Sequence, residues 1–268
     1  MILLPLLSLP LAIAQAAPAE TPTPPPAGNA APVDARAQEC LQIASNDPVS
    51  GITTASTWLG EGAILGVTHA QECLGHAYVR LLRWEAAEEA FLAAREAESA
   101  NPGRRARLAA MAGNAAMAGN RHVEALSALD MARGDAAAAG DGELAAGIAL
   151  DRAHTLVGLG RPDEAAAALT EAREAQPQNA EAWLLSATLA RRMERLSEAQ
   201  AMIESAAALI PTDPRVGLEA GVIAALAGHE EAARKSWQSV VELDRDPASV
   251  QQAQAYLAQL GGAGAENR

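Results

Sequence analysis

A histidine followed by a glutamate, a cysteine three residues before a histidine, and three glycines within seven residues are the places in this chain whose residue types could do chemistry. His229-Glu230 opens like the helix motif of zinc proteases, which needs two histidines four apart on one face and the glutamate as general base. Residue 233, where the second histidine would stand, is Ala. Cys73 and His76 have half of a metal-site spacing, and no matching half occurs elsewhere. Gly60-Glu61-Gly62 followed by Gly66 is one residue too long for a dinucleotide fingerprint and has no strand pattern before it. Neither a nucleophile-elbow serine motif nor a Walker loop occurs. The chain reads as non-catalytic, with no metal and no cofactor, so its function has to be sought in its surfaces.

Composition narrows those surfaces. The 268 residues carry a formal charge of −13, which repels a polyphosphate backbone, and no stripe of Lys and Arg interleaved with aromatics overrides it. Nucleic acid is excluded as a partner. Apolar residues make up 50% of the chain but aromatics only 3%, because about a quarter of it is Ala, a composition for thin, closely packed helices. Residues 1–16 read as an export signal: an apolar run from Ile2 to Ala14, too short to span a bilayer, then Ala14-Gln15-Ala16 with small residues where a signal peptidase cuts. The mature chain is expected to be periplasmic or secreted, with no integral membrane insertion. Residues 17–33 are a Pro/Ala-rich linker, with Pro22 to Pro26 unable to enter a helix or sheet.

Beyond the linker a small–large–small triplet recurs with spacing four then three: Ala87, Phe91, Ala94; Ala125, Leu129, Ala132; Ala165, Leu169, Ala172; Ala199, Ile203, Ala206; and Ala233, Trp237, Val240. Positions i, i+4 and i+7 share one helix face, so each triplet marks a helix whose small members permit close crossing. About twelve residues upstream of each triplet stands another small residue, at Gly75, Gly113, Ala153, Ala187 and Gly221, expected to meet the first Ala of its triplet. Gly119-Asn120, Gly160-Arg161-Pro162 and Gly228-His229 turn the chain between the two helices, and Pro177 and Pro211 stop the second helix. Successive triplets lie 38, 40, 34 and 34 residues apart, which puts extra residues near 96–104 and 134–142.

These residues resemble the tetratricopeptide repeat (TPR) family. Leu74-Gly75-His76-Ala77-Tyr78 with Trp84, Ala87, Phe91 and Ala94 follows its pattern most fully; Trp183, Ala187, Ala199, Ala206 and Pro211 match almost as well, and Ala165, Leu169, Ala172 and Pro177 give a third match. The resemblance covers roughly residues 65–247. It implies an all-α, right-handed α-solenoid of about five TPR-like helix pairs, at approximately 68–102, 106–139, 146–179, 180–213 and 214–247. A degenerate N-terminal pair (34–64) and a C-terminal capping helix (248–260) would close its ends, with 261–268 as a loose tail.

Ala37-Gln38-Glu39-Cys40-Leu41 recurs as Ala70-Gln71-Glu72-Cys73-Leu74, so the two cysteines hold equivalent places in the degenerate pair and the first good repeat. In an exported protein such a pair favours a disulfide, which would pin cap to array. Equivalent positions on stacked helices lie about 10 Å apart, whereas a bridge needs Cα atoms within about 7 Å. Either the first pair departs from regular stacking or Cys40 and Cys73 are two buried thiols.

A stack of helix pairs presents a concave face lined by the first helix of each pair, and in TPR-like proteins that face commonly holds an extended peptide or a partner's helix. In this register the lining comprises His69, Glu72, His76 and Arg80; Arg107, Met111, Asn114 and Met117; Leu150, Asp151 and His154; and Glu181, Leu184, Thr188, Arg191 and Arg192. One TPR subfamily grips a C-terminal carboxylate with Lys and Asn. Here only Asn114 matches, while Ala110, Leu150 and Asp151 stand where basic partners would be. The expected function is a non-catalytic scaffold or adaptor binding a peptide or envelope protein in the groove. The alternative is a structural or oligomerisation subunit of an envelope assembly, through self-association.

Overall fold

The computed structural model describes residues 30–62 and 66–266. The signal segment and most of the linker lie outside the described residues. Among the described residues there are thirteen α-helices and no strand: α1 (Ala30–Asn46), α2 (Pro48–Gly60), α3 (Val67–Arg80), α4 (Trp84–Ala97), α5 (Pro102–Ala118), α6 (His122–Ala139), α7 (Gly142–Gly158), α8 (Pro162–Ala175), α9 (Ala180–Arg192), α10 (Leu196–Leu209), α11 (Pro214–Leu226), α12 (Glu230–Leu243) and α13 (Pro247–Glu266). Each helix packs on its neighbours in sequence, and α1 meets α3, α5 meets α7, α9 meets α11 and α11 meets α13. That is an α-solenoid of antiparallel helix pairs. No described helix is long and apolar enough to cross a membrane.

The two kinds of turn are built differently. Side chains of Asn101, Asp141, Asn179 and Asp213 accept hydrogen bonds from the first-turn backbone of α5, α7, α9 and α11, and Asp246 does the same for α13 through the Ser249 N–H. A cap of this kind contributes about 1 kcal/mol by satisfying a donor that the helix leaves open. The turns within each pair instead pass through a left-handed residue, at Leu82, Asn120, Gly160, Glu194 and Gly228. The next N–H reaches back five residues, as Arg121 does to the Ala116 carbonyl (2.8 Å) and Arg195 to that of Ala190 (2.9 Å). These are Schellman closures, and they recur with the spacing of the triplets.

Every triplet member is buried, from Ala87, Phe91 and Ala94 through Ala233, Trp237 and Val240. The three upstream glycines meet chiefly the large member of the triplet, not its first Ala as the sequence suggested. A Cβ on Gly75 would come within 2.5 Å of the Phe91 ring, one on Gly113 within 2.6 Å of Leu129 Cγ, and one on Gly221 would strike Trp237. The large residue fills the gap that the missing side chain leaves. Extra residues in the longer intervals extend helices rather than loops: α5, α6 and α7 have 17, 18 and 17 residues, whereas most of the other paired helices have 13 or 14.

Both ends differ in detail from the sequence reading. Helix α1 starts at Ala30, inside the expected linker, because Pro32 falls in its first turn, where a missing N–H costs nothing. Cys40 and Cys73 are bridged with their Cα atoms 6.0 Å apart. Regular stacking is broken as anticipated: Ala37, Ala44, Ala70 and Ala77 are buried around the bridge, and a Cβ on Gly51 of α2 would come within 2.6 Å of the Ala44 Cα. At the far end α13 continues to Glu266 instead of stopping at Leu260, since an established helix gains one hydrogen bond for each residue it adds. Tyr256 packs on Trp237 with ring centroids 5.0 Å apart, and the opposite side of α13 shows Gln251, Gln252, Gln254 and Gln259 to solvent.

Candidate functional site

The first helices α3, α5, α7, α9 and α11 carry the residues that the sequence assigned to a groove, and the structure sorts them into three kinds. Some are stitched to the next repeat. Arg104 donates to Glu72 at 2.6 Å and to the Nε2 of His69 at 2.8 Å; Arg107 pairs with Asp141 (3.3 Å), Asn114 donates to Asp151 (3.1 Å), Arg215 pairs with Glu181 (2.9 Å), and Arg191 with Glu219 (2.7 Å). Each pair joins a first helix to the next one or its cap, so these charges are spent on holding repeats together. Most are partly exposed and each contributes about 0–1 kcal/mol, while Arg191 with Glu219, at 22% and 13% exposure, is held more firmly.

Some have left the surface. Leu184 is buried with Ala187, Ile203, Ala206 and Val216, because it lies three residues before Ala187 and so shares the face turned to α10. It is removed from the groove. Leu150 is half-buried against Ala149 and Leu169. His76 stands edge-on to Phe91 with centroids 5.3 Å apart, and His69 lies alongside Trp58.

The rest remain available. Arg80, His154 and Arg192 are exposed, and Met111, Met117 and Thr188 are half-buried. They are carried by the first helices α3, α5, α7 and α9.

Burial sets the titration of this face. It pushes His76 below the ordinary histidine value against the opposing field of Glu72, and it lowers His69, helped by the Arg104 guanidinium. Since Arg104 donates to the Nε2 of His69, that ring is neutral with its proton on Nδ1, which is buried without a partner among the described residues. Burial also raises Asp151, with the Asn114 hydrogen bond opposing.

Two hollows open between successive first helices. One, of about 410 Å³ between α5 and α7, is lined by Ala110, Leu144 and Gly147 together with the charged Arg107, Asp141 and Asp151. The other, of about 240 Å³ between α7 and α9, is lined by Ala153, His154, Val157, Leu169, Leu185, Thr188, Leu189 and Arg192. Val157, Leu185, Asp141, Arg215 and Glu219 were not singled out in the sequence. A signal was present for some of them, because Arg107 and Asp141, like Glu181 and Arg215, are opposite charges 34 residues apart, one repeat. Among the described residues no three of His, Cys, Asp and Glu gather as they would around a metal.

Comparison with known proteins places this stack of capped helix pairs among known folds. Residues 156–220 match the tetratricopeptide repeat family. The helix pairs on either side of that match continue the same all-α solenoid. Among solved structures it is similar to PilF of Pseudomonas aeruginosa (TM-score 0.61, 15% identity, covering 84% of this chain and 99% of that one). A tetratricopeptide repeat protein from Parabacteroides merdae aligns with TM-score 0.61 and 18% identity over 75% of each chain. YrrB, a TPR protein with an unusual peptide-binding site, aligns with TM-score 0.52 and 20% identity over 69% of this chain and 91% of its own. At these identities the likeness is one of fold. No curated protein matches the chain significantly.

Proposed function

We propose that the chain is a non-catalytic scaffold or adaptor, exported to the periplasm, that binds a peptide or an envelope protein in the groove formed by its first helices. The observation that supports this is the set Arg80, Met111, Met117, His154, Thr188 and Arg192, which stays at least partly exposed on the first helices while the triplets are buried. Methionines in such a set suit an irregular apolar partner because their side chains adapt. The disulfide fits an oxidising compartment. Self-association by stacking has less support, since the outer side of α13 is lined with glutamine and α1 shows Gln38, Glu39 and Gln42.

A photo-crosslinking residue placed at Met117 or Thr188 is expected to capture a partner in intact cells, whereas one at Ala138 or Gln238 on the second helices should not. Equal capture from both sets, or only self-crosslinks, would remove the groove reading. Export is tested by fusing residues 1–33 to a reporter that is active only outside the cytoplasm; an inactive fusion would refute it.

A further inference from the structure

The polar stitching between first helices is interrupted at one place. Helix α3 is tied to α5 by Glu72 and Arg104, α5 to α7 by Asn114 and Asp151, and α9 to α11 by Arg191 and Glu219, yet no hydrogen bond or ion pair joins α7 to α9 among the described residues. At that seam lies the 240 Å³ hollow instead. Its walls are aliphatic (Ala153, Val157, Leu169, Leu185, Leu189), and Val157 is 41% exposed, an apolar side chain with nothing over it.

Size and charge restrict what belongs there. The hollow is smaller than the roughly 300–1,000 Å³ of cofactor or metabolite sites, and fits one branched aliphatic side chain. At its rim Arg192 is exposed and makes no ion pair among the described residues, while its neighbour Arg191 is engaged by Glu219. An arginine left unpaired beside an apolar hollow, in a chain of net charge −13, is a cation lacking its anion. Asp151, the nearest acid on α7, lies six residues before Val157, about 9 Å along the helix, and accepts the Asn114 hydrogen bond on the α5 side. The two ends of the seam therefore differ in sign, and only the Arg192 end welcomes a carboxylate.

We propose that the α7–α9 seam is the anchor site for the partner, seating one aliphatic side chain of a peptide segment whose neighbouring Asp or Glu is held by Arg192. This rests on the reading of the first-helix face as a peptide groove, and it names the ligand class and where it docks. His154 and Thr188 flank the hollow and supply polar contacts to the peptide backbone.

The test is selection of random twelve-residue peptides displayed on phage against the mature chain, repeated on Arg192→Glu. Enriched peptides are expected to share an aliphatic residue beside Asp or Glu. On Arg192→Glu the acidic position should give way to Lys or Arg, and a synthetic consensus peptide should bind it at least tenfold more weakly by fluorescence polarisation. Arg192→Lys should keep most of the binding, and Val157→Asp should abolish it. Melting curves establish that the variants are folded, which the exposure of both side chains favours. Enrichment of the same sequences by both forms, or a consensus without the aliphatic–acidic pair, overturns the proposal. If such peptides are instead lost on Met111→Asp, the groove reading survives and this seat is wrong. If nothing is enriched, or binding ignores all three sites, both fail.

Discussion

Glu194 and Leu82 hold a left-handed backbone that L side chains adopt at a cost of about 1 kcal/mol, in turns where Gly160 and Gly228 do so freely. Glu194→Gly should therefore raise stability by about 0.5–1 kcal/mol, read as a higher denaturant midpoint with unchanged slope; a lower midpoint would show that the turn is held by something other than backbone geometry. The opposite holds where a glycine faces a large residue. Gly75→Ala, pressed on the Phe91 ring, should cost about 1–3 kcal/mol, while Gly147→Ala, with nothing within 4 Å, should be neutral or stabilising. The glycine-to-large matching was half legible in the sequence. Spacing revealed which small residues mattered, but not that Gly75 faces Phe91 rather than Ala87, since a helix crossing point depends on tilt as well as on period. The left-handed residues at Leu82 and Glu194 left no trace, because neither is a turn-forming type. Leu184 was misplaced for a related reason: three residues from Ala187 on the same turn, it lies on the face that α10 covers.

At the scale of helices, the stitching between repeats explains why formally charged positions are not equivalent as probes of binding. Arg191→Glu would set two carboxylates together and should destabilise α9 and α11 by about 1–3 kcal/mol, with Glu219→Arg in the same chain restoring much of the loss. Arg192→Glu should leave the melting temperature nearly unchanged. Equal effects of the two would contradict the pairing. The bridge between α1 and α3 closes 33 residues, and in the chain-entropy account Cys40→Ala with Cys73→Ala should remove about 3–4 kcal/mol, confined to the N-terminal pair. Helix number and order were readable because periodicity and caps are local, whereas the sequence left the bridging of Cys40 and Cys73 open, since it depends on how the first helices stack. Of the ion pairs across repeats only those one repeat apart, Arg107 with Asp141 and Glu181 with Arg215, left a signal; the others depend on the length of the intervening helices, and α5 to α7 are longer than the repeat norm.

For the whole molecule, acidity acts through two histidines on the N-terminal side of the array. His69 and His76 are both held below their ordinary value of 6.5, so the unfolded chain takes up protons more readily than the folded one as pH falls through that value. Stability is expected to be full above pH 6.5 and to decline as pH drops from there toward the lowered folded values. His76→Asn should flatten that decline if the fold tolerates it, as followed by thermal melts from pH 7.5 to 5. Aspartates that cap helices, such as Asp47, Asp213 and Asp246, are shifted down and hold their contribution until the solution is far more acidic. A decline that is unchanged in the variant would assign it to other groups.

The bridge between α1 and α3 also gives this quasi-linear array a direction. Repeats that touch only their neighbours can peel away from either end, but α1 and α3 are chained together, whereas among the described residues α13 is held to the array by packing around Trp237 and Val240. In an oxidising compartment the molecule behaves as a zip with one end sewn shut: it opens from the C-terminus, and protease or pulling force meets its firm resistance only at the N-terminal stop.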